Sequence, residues 1–294
     1  MTSSASRGRP DSPRVVTDSA ALSQVLRKAR TGGKVIGLVP TMGALHAGHL
    51  SLVRASVAAC DLTVVTIFVN PTQFGPNEDF TRYPRTLEAD LQMLGREQAD
   101  LVFAPAADQV YRAGFSTYVE PPDVAQPLEG RCRPGHFRGV ATIVLKLFHL
   151  IPADVAFFGQ KDYQQVRVIQ AMVADLDVPI RVVICPTVRD PDGLALSSRN
   201  RYLNATERRQ AVAISRSLAR AEELVRDGER CAATIHSAMR AVLTSAGIER
   251  VDYVALVDPL TLTDVDPVPD GTMALVAAFV GGTRLIDNRQ LGKG

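Results

Sequence analysis

Residues 34–69 read KVIGLVPTMGALHAGHLSLVRASVAACDLTVVTIFV, and the fold is decided there. Residues 34–39 form an apolar run rich in Val, the signature of a strand buried on both faces. Residues 48–60 follow with Leu50, Val53 and Val57 at helical spacing. Residues 62–69 are a second β-rich run. Two such strands joined by a helix make a parallel βαβ unit.

The alternation continues toward the C-terminus. Leu87, Leu91 and Leu94 mark a helix, and residues 100–104 a strand. A helix over 140–150, a strand over 154–158, a helix over 161–176 and a strand over 180–185 follow. Repetition of this kind predicts an α/β fold, a Rossmann-like doubly wound parallel sheet occupying residues 15–187. From 188 to 294 the pattern changes. A long helix over 204–227 opens on a capping-box spacing, Asn204 and Glu207, and a second helix covers 231–246. Short strands are predicted over 251–257, 273–280 and 283–286, giving a smaller α+β domain. Residues 1–14 are polar, small and Pro-containing, and read as a disordered tail with no apolar core of a secretory signal.

Composition excludes several classes. A formal net charge of +2 gives no electrostatic basis for a nucleic-acid or anionic-membrane partner. No apolar run approaches the roughly 20 residues of a membrane span. Cys60, Cys132, Cys185 and Cys231 are scattered, with no C-x-x-C pair, which fits reduced thiols in a cytoplasmic protein.

Chemistry-bearing residues cluster at strand-to-helix junctions, where open α/β sheets bind ligands. The first cluster is Pro40-Thr41-Met42-Gly43-Ala44-Leu45-His46-Ala47-Gly48-His49. A helix N-terminus there offers N–H groups and a positive dipole end to phosphate. His46 and His49, three apart, project to one side and can donate to phosphate oxygens. Zinc is the weaker reading, since helical zinc pairs use i and i+4 with an intervening Glu. The second cluster, residues 68–75, carries Asn70 and Gln73, neutral amides suited to hydroxyls and carboxylates. The third, residues 130–139, carries Arg133 and His136 in an Arg-rich loop. In the fourth, Gly159-Gln160-Lys161-Asp162 and Gln165, Lys161 supplies a point charge for phosphate, and Asp162 an acceptor for ribose hydroxyls. Lys161 is one of only five lysines among 33 basic residues. The fifth comprises Val188 and then Leu196-Ser197-Ser198-Arg199, two hydroxyls and a guanidinium after a Gly-containing turn.

His-Ala-Gly-His resembles the signature of the nucleotidyltransferase superfamily, and Ser-Ser-Arg resembles that superfamily's mobile Lys-Met-Ser-Lys-Ser loop. The five motifs in this order, with residues 79–86 (DFTRYPRT), resemble the pantothenate synthetase family over about residues 15–290. Many members carry Met where this chain has Leu196.

The resemblance implies an ATP-dependent ligase that condenses pantoate with β-alanine through pantoyl adenylate, in coenzyme A biosynthesis. It implies a homodimer and a C-terminal lid domain closing over ATP. Met42 to His49, Gly159 to Asp162, Val188 and Leu196 to Arg199 would contact ATP. His46, His49, Lys161, Ser197, Ser198 and Arg199 would stabilise phosphate charge, with His49 the proton donor. Pro40, Met42, Gln73 and Gln165 would hold pantoate. Asn70, Gln73, Arg133 and His136 would hold β-alanine, with Arg133 as its carboxylate clamp. Mg²⁺ would ride on the phosphates without a protein cage. Three rivals share parts of this pattern: a class I aminoacyl-tRNA synthetase, another adenylyl transferase of the superfamily, and a non-catalytic nucleotide sensor.

Overall fold

The computed structural model describes residues 12–76 and 78–292. Residues 1–11 of the expected tail therefore lie outside the described residues. Its last position does not belong to a tail: Arg14 opens strand β1 (Arg14–Val16), which pairs in parallel with β4 (Leu101–Phe103). The remaining strands of this sheet are β2 (Ile36–Thr41), β3 (Leu62–Ile67), β5 (Val155–Gly159) and β6 (Arg181–Cys185). Their order is β1-β4-β3-β2-β5-β6 in a parallel, helix-flanked sheet. The chain steps away from β2 in one direction through β3 and β4, then in the other through β5 and β6. The order thus reverses between β2 and β5, the position at which doubly wound sheets open a crevice at their carboxyl ends.

Helix α1 (Ser19–Thr31) has no counterpart among the expected elements. Asp18 caps it by accepting from the Ala21 N–H at 2.8 Å, and Leu22, Leu26 and Ala29 bury one face. Burying each leucine stabilises by about 1.5–3 kcal/mol. Helix α2 (Ala47–Ala59) packs hard on β2. A Cβ on Gly37 would stand 2.2 Å from Ser56 Oγ and 2.8 Å from Cys60 Sγ, so only glycine admits that approach. Helix α3 (Leu87–Arg96) places Leu94 in the same core as Val39, Val65 and Val102. Two short helices follow, α4 (Ala107–Val110) and α5 (Glu129–Cys132), then α6 (His136–Leu150) and α7 (Tyr163–Asp175).

The chain forms two compact units. The first comprises the segments to Glu120, Arg138–Phe158 and Met172–Cys185; the second comprises Pro121–Phe137, Gly159–Ala171 and Pro186 onward. This differs from a single cut after 187, because two earlier excursions belong with the C-terminal part. In the second unit β7 (Val251–Val257), β8 (Met273–Val280) and β9 (Thr283–Gln290) form an antiparallel sheet in that order. Strand β9 outruns its expected end at 286. The polar run Asp287-Asn288-Arg289-Gln290 gives no strand signal, yet pairs fully with β8 through Met273. Helices α8 (Ala205–Arg226) and α9 (Ala232–Ser245) share a core with this sheet, including Leu218, Ile235, Met239, Leu256 and Val276. The Asn204–Glu207 capping box is present, with both reciprocal bonds formed. Among the described residues no helix is long and apolar enough to cross a membrane.

Candidate active site

In the first unit, the turn from β2 into α2 is held in a shape that few residues adopt. Gly43 has φ +80° and Ala44 φ +51°. The strained turn is fastened from below by Asp90 of α3, a fully buried carboxylate. It accepts from the Ala44 N–H at 3.0 Å, the Leu45 N–H at 2.9 Å and the Thr86 hydroxyl at 3.2 Å. Thr41 adds a second fastening: its hydroxyl donates to Thr66 O at 2.6 Å and accepts from the Gly43 N–H at 3.1 Å. Gly43, Ala44 and Leu45 are buried, while Met42, His46, Gly48 and His49 are half-buried and Ala47 is exposed. The Ala44 and Leu45 N–H groups of this turn are thus engaged by Asp90.

His46 is the N-cap of α2. Its Nδ1 accepts from the Gly48 N–H at 3.2 Å, so the neutral ring carries its proton on Nε2, the nitrogen away from the cap bond. The His46 and His49 ring centroids are 4.1 Å apart, tilted by 38°. The expected same-side pair is therefore formed.

After β3, Asn70 is nearly fully buried and its amide is committed within the protein. Its Nδ2 donates to Gln73 Oε1 at 3.0 Å and to Gly139 O at 3.2 Å. Its Oδ1 accepts from the Thr72 hydroxyl at 3.0 Å and the Tyr111 hydroxyl at 2.8 Å. Burial raises the Tyr111 pKa, which keeps that hydroxyl a donor. Asn70 thus acts on Gln73 rather than offering its own amide. Gln73, half-buried, also donates to Met42 Sδ at 3.1 Å, which joins two of the expected pantoate residues directly. The Thr72–Gln73 backbone lies against α6: a Cβ on Gly139 would fall 2.2 Å from Thr72 O.

In the second unit, Glu129, Arg133, His136, Lys161, Gln165 and Asn288 line one small pocket. Gln164 builds its wall: its Oε1 accepts from the Glu129 N–H at 3.1 Å, and its Nε2 donates to Val124 O at 3.0 Å and Pro127 O at 2.7 Å. Buried Glu129 receives a two-pronged bond from Arg284 at 2.8 and 2.7 Å, and the Tyr253 hydroxyl at 2.8 Å. Burial alone would push the Glu129 pKa up. The hydrogen bonds and charge of Arg284, with help from Arg133 and Tyr253, overcome that and hold it at about 2. Arg133 lies 3.5 Å from the same carboxylate and 3.1 Å from His136 Nε2. Lys161, in the 3₁₀ turn Gln160–Asp162, has its ammonium 3.5 Å from Asp162.

Residues 188–196 form a hairpin, with a bridge between Arg189 and Ala195 and a Leu196 N–H to Val188 O bond of 3.0 Å. It delivers the chain to Ser197, whose Oγ accepts from the Arg199 N–H at 3.3 Å and caps the 3₁₀ helix Ser198–Tyr202. Ser198 is buried and Leu196 and Arg199 are half-buried. The hairpin is clamped by Arg189 on Asp287 (2.6 and 2.9 Å) and by Arg208 on Asp190 and Asp192.

Sequence reasoning missed Asp90, Glu129, Gln164, Arg284, Asp287 and Asn288. Gln164 and Glu129 adjoined motifs; Asp90, Arg284, Asp287 and Asn288 carried no local signal, because each acts on a segment distant along the chain.

The chain matches the family model described as pantoate-beta-alanine ligase over residues 14–290. A relative described as pantothenate synthetase, from Acidobacterium capsulatum, is 55% identical over 262 residues, 89% of this chain and 88% of the relative. The crystal structure of pantothenate synthetase from Thermus thermophilus superposes with a TM-score of 0.90 at 42% identity, covering 94% of this chain and 99% of that one. A pantoate-beta-alanine ligase from Francisella tularensis, complexed with beta-gamma ATP and beta-alanine, superposes with a TM-score of 0.79 at 33% identity, covering 96% and 99%.

Proposed function

The chain belongs to the pantoate-beta-alanine ligase family and joins pantoate to β-alanine using ATP, and from that premise we propose how its residues divide the work. A carboxylate oxygen of pantoate attacks the α-phosphorus of ATP. The bond to the β-phosphate oxygen breaks, and pyrophosphate leaves with that electron pair. The amine of β-alanine, having lost its proton, then attacks the acyl carbon of pantoyl adenylate, and AMP departs.

The observation that carries this reading is the fastened turn after β2, with its two imidazoles 4.1 Å apart at a helix N-terminus. Transfer at phosphorus asks mainly for positioned positive charge and donors. His46, donating from Nε2, and His49, as proton donor, supply these, as do Lys161, Ser197, Ser198 and Arg199, with Asp162 accepting from ribose. Gly159, Gln160, Val188 and Leu196 contribute main chain and apolar surface to the nucleotide. Gln73, Gln165, Met42 and Pro40 hold pantoate, with Asn70 orienting Gln73. Arg133 and His136 take the β-alanine carboxylate, Arg133 being kept in place by Glu129. The phosphate-facing set is imidazole, ammonium, hydroxyl and guanidinium, a donor set that fits Mg²⁺ carried on the triphosphate by its oxygens and water. We read the protein as a cytoplasmic homodimer.

Pyrophosphate–ATP isotope exchange tests the order of events. Exchange should proceed with pantoate, ATP and Mg²⁺ and no β-alanine. Exchange that appears only when β-alanine is added would exclude a free-standing adenylation step.

A further inference from the structure

Asn288 lies on β9, about 127 residues along the chain from Lys161, and carries none of the motifs. It is 3% exposed. Its side-chain nitrogen donates to two successive carbonyls, Gln160 O at 2.9 Å and Lys161 O at 2.8 Å. The amide cannot be turned over, since that would set its oxygen against both carbonyl oxygens. Its Oδ1 is buried with no hydrogen-bond partner. A buried amide left half-satisfied is uncommon, and the half that is satisfied is aimed wholly at the turn carrying Lys161.

Asn288 is itself immobilised. Its own N–H donates to Asp287 Oδ1 at 2.8 Å. Asp287 is gripped by both guanidinium nitrogens of Arg189, and Arg189 also donates to Asn288 O at 3.3 Å. The strand at this point pairs continuously with β8. A rigid strand therefore holds the carbonyls of a three-residue 3₁₀ turn, and the pitch of that turn sets where the Lys161 ammonium stands.

We propose that Asn288 is a positioning residue for Lys161: it touches no reacting atom and acts on adenylation only through that ammonium. The proposal rests on the phosphate role assigned to Lys161 above. It adds a residue of the C-terminal sheet to the machinery of the first half-reaction.

A double-mutant cycle in pyrophosphate–ATP exchange tests it, using the full chain. Lys161→Ala should slow exchange by roughly 10²–10³, as for loss of one charge-stabilising group. Asn288→Ala should slow kcat about tenfold while the KM for pantoate stays within about twofold, since a misplaced group costs rate more than substrate binding. Asn288→Ser, which keeps one donor, should fall between Asn288→Ala and the parent. The double variant Lys161→Ala/Asn288→Ala should be no slower than Lys161→Ala alone, because residues acting through one group do not add. Multiplying effects, with Asn288→Ala slowing exchange equally in both backgrounds, would overturn the proposal and leave Asn288 a structural residue. If Asn288→Ala does not fold, the same cycle with Asn288→Ser carries the same criterion. If Lys161→Ala exchanges at the parent rate, the phosphate role of Lys161 has failed and the proposal falls with it; that result is distinct from additivity.

Discussion

Arg284→Met removes the guanidinium that holds Glu129, and its cost can be worked from the site. Glu129 and Arg284 side chains are 6% and 18% exposed, so water screens the pair little. The carboxyl is held at about 2 against an ordinary 4.5, which corresponds to about 3 kcal/mol at neutral pH. In the variant, Glu129 keeps only the Tyr253 hydroxyl and Arg133 at 3.5 Å. Stripping one partner from a buried ion pair costs about 3–5 kcal/mol, which agrees with the value from the carboxyl. Urea unfolding at pH 7, followed by far-ultraviolet circular dichroism, should show that loss. Because the folded carboxyl titrates below the unfolded one, its contribution is complete above about pH 4.5. It drains away as pH falls toward 2, leaving about 1.4 kcal/mol at pH 3. The gap between parent and variant should narrow by the same amount. Glu129→Leu added to Arg284→Met should recover part of the loss at pH 7, since the deeply buried carboxylate is no longer stranded, while Arg133 and Asp252 each lose a partner. A loss below about 1 kcal/mol at pH 7, or one that stays constant into acid, would refute the ion-pair account.

Four further outcomes follow from the first unit. Gly139→Ala drives a methyl to 2.2 Å from Thr72 O, so it should displace the Asn70–Gln73 turn and raise the pantoate KM, a shift read by steady-state kinetics. Asp90→Asn keeps one acceptor and turns an N–H₂ toward a backbone N–H. It should lower stability by roughly 1.5–3 kcal/mol in urea melts and slow adenylation, because the His46 turn loses its fastening. Gln73→Ala should weaken pantoate by about 1–3 kcal/mol with the ATP KM unmoved, and His49→Ala should instead cut exchange roughly 10²–10³; the reverse pairing would exchange their assignments.

The parallel sheet was legible because β2 and β3 are buried on both faces and so read as unbroken apolar runs. The histidine pair was legible because it sits where a strand ends and a helix begins. Helix α1 was not, although Leu22, Leu26 and Ala29 follow helical spacing, because its Asp18 cap follows closely on the polar N-terminal run and no second apolar strand signal frames it. Strand β9 was not legible beyond 286 because its last residues are polar: Asp287 and Asn288 face protein partners, so hydrophobic alternation is absent where the strand does its most specific bonding. Asn70 reads as a ligand from its chemistry, but its five-fold engagement depends on Thr72, Gln73, Gly139 and Tyr111, and no spacing rule brings those together.

The chain's two excursions into the second unit, Pro121–Phe137 and Gly159–Ala171, bear on how the protein can be made and divided. A fragment beginning at Pro186 would carry Arg284 without Glu129, and Asn288 without the carbonyls of Gln160 and Lys161. Its sheet would expose a guanidinium and an amide built to be covered. The first unit is interrupted in turn, needing Met172–Cys185 to supply edge strand β6. During synthesis neither unit has all its parts until the chain has passed both excursions, and the second also waits for β9. Recombination between relatives at residue 186 would part Arg284 from its own Glu129 and Asn288 from its own carbonyls at 160 and 161, so exchange of residues 186–294 as a module requires that the segments Pro121–Phe137 and Gly159–Ala171 match it.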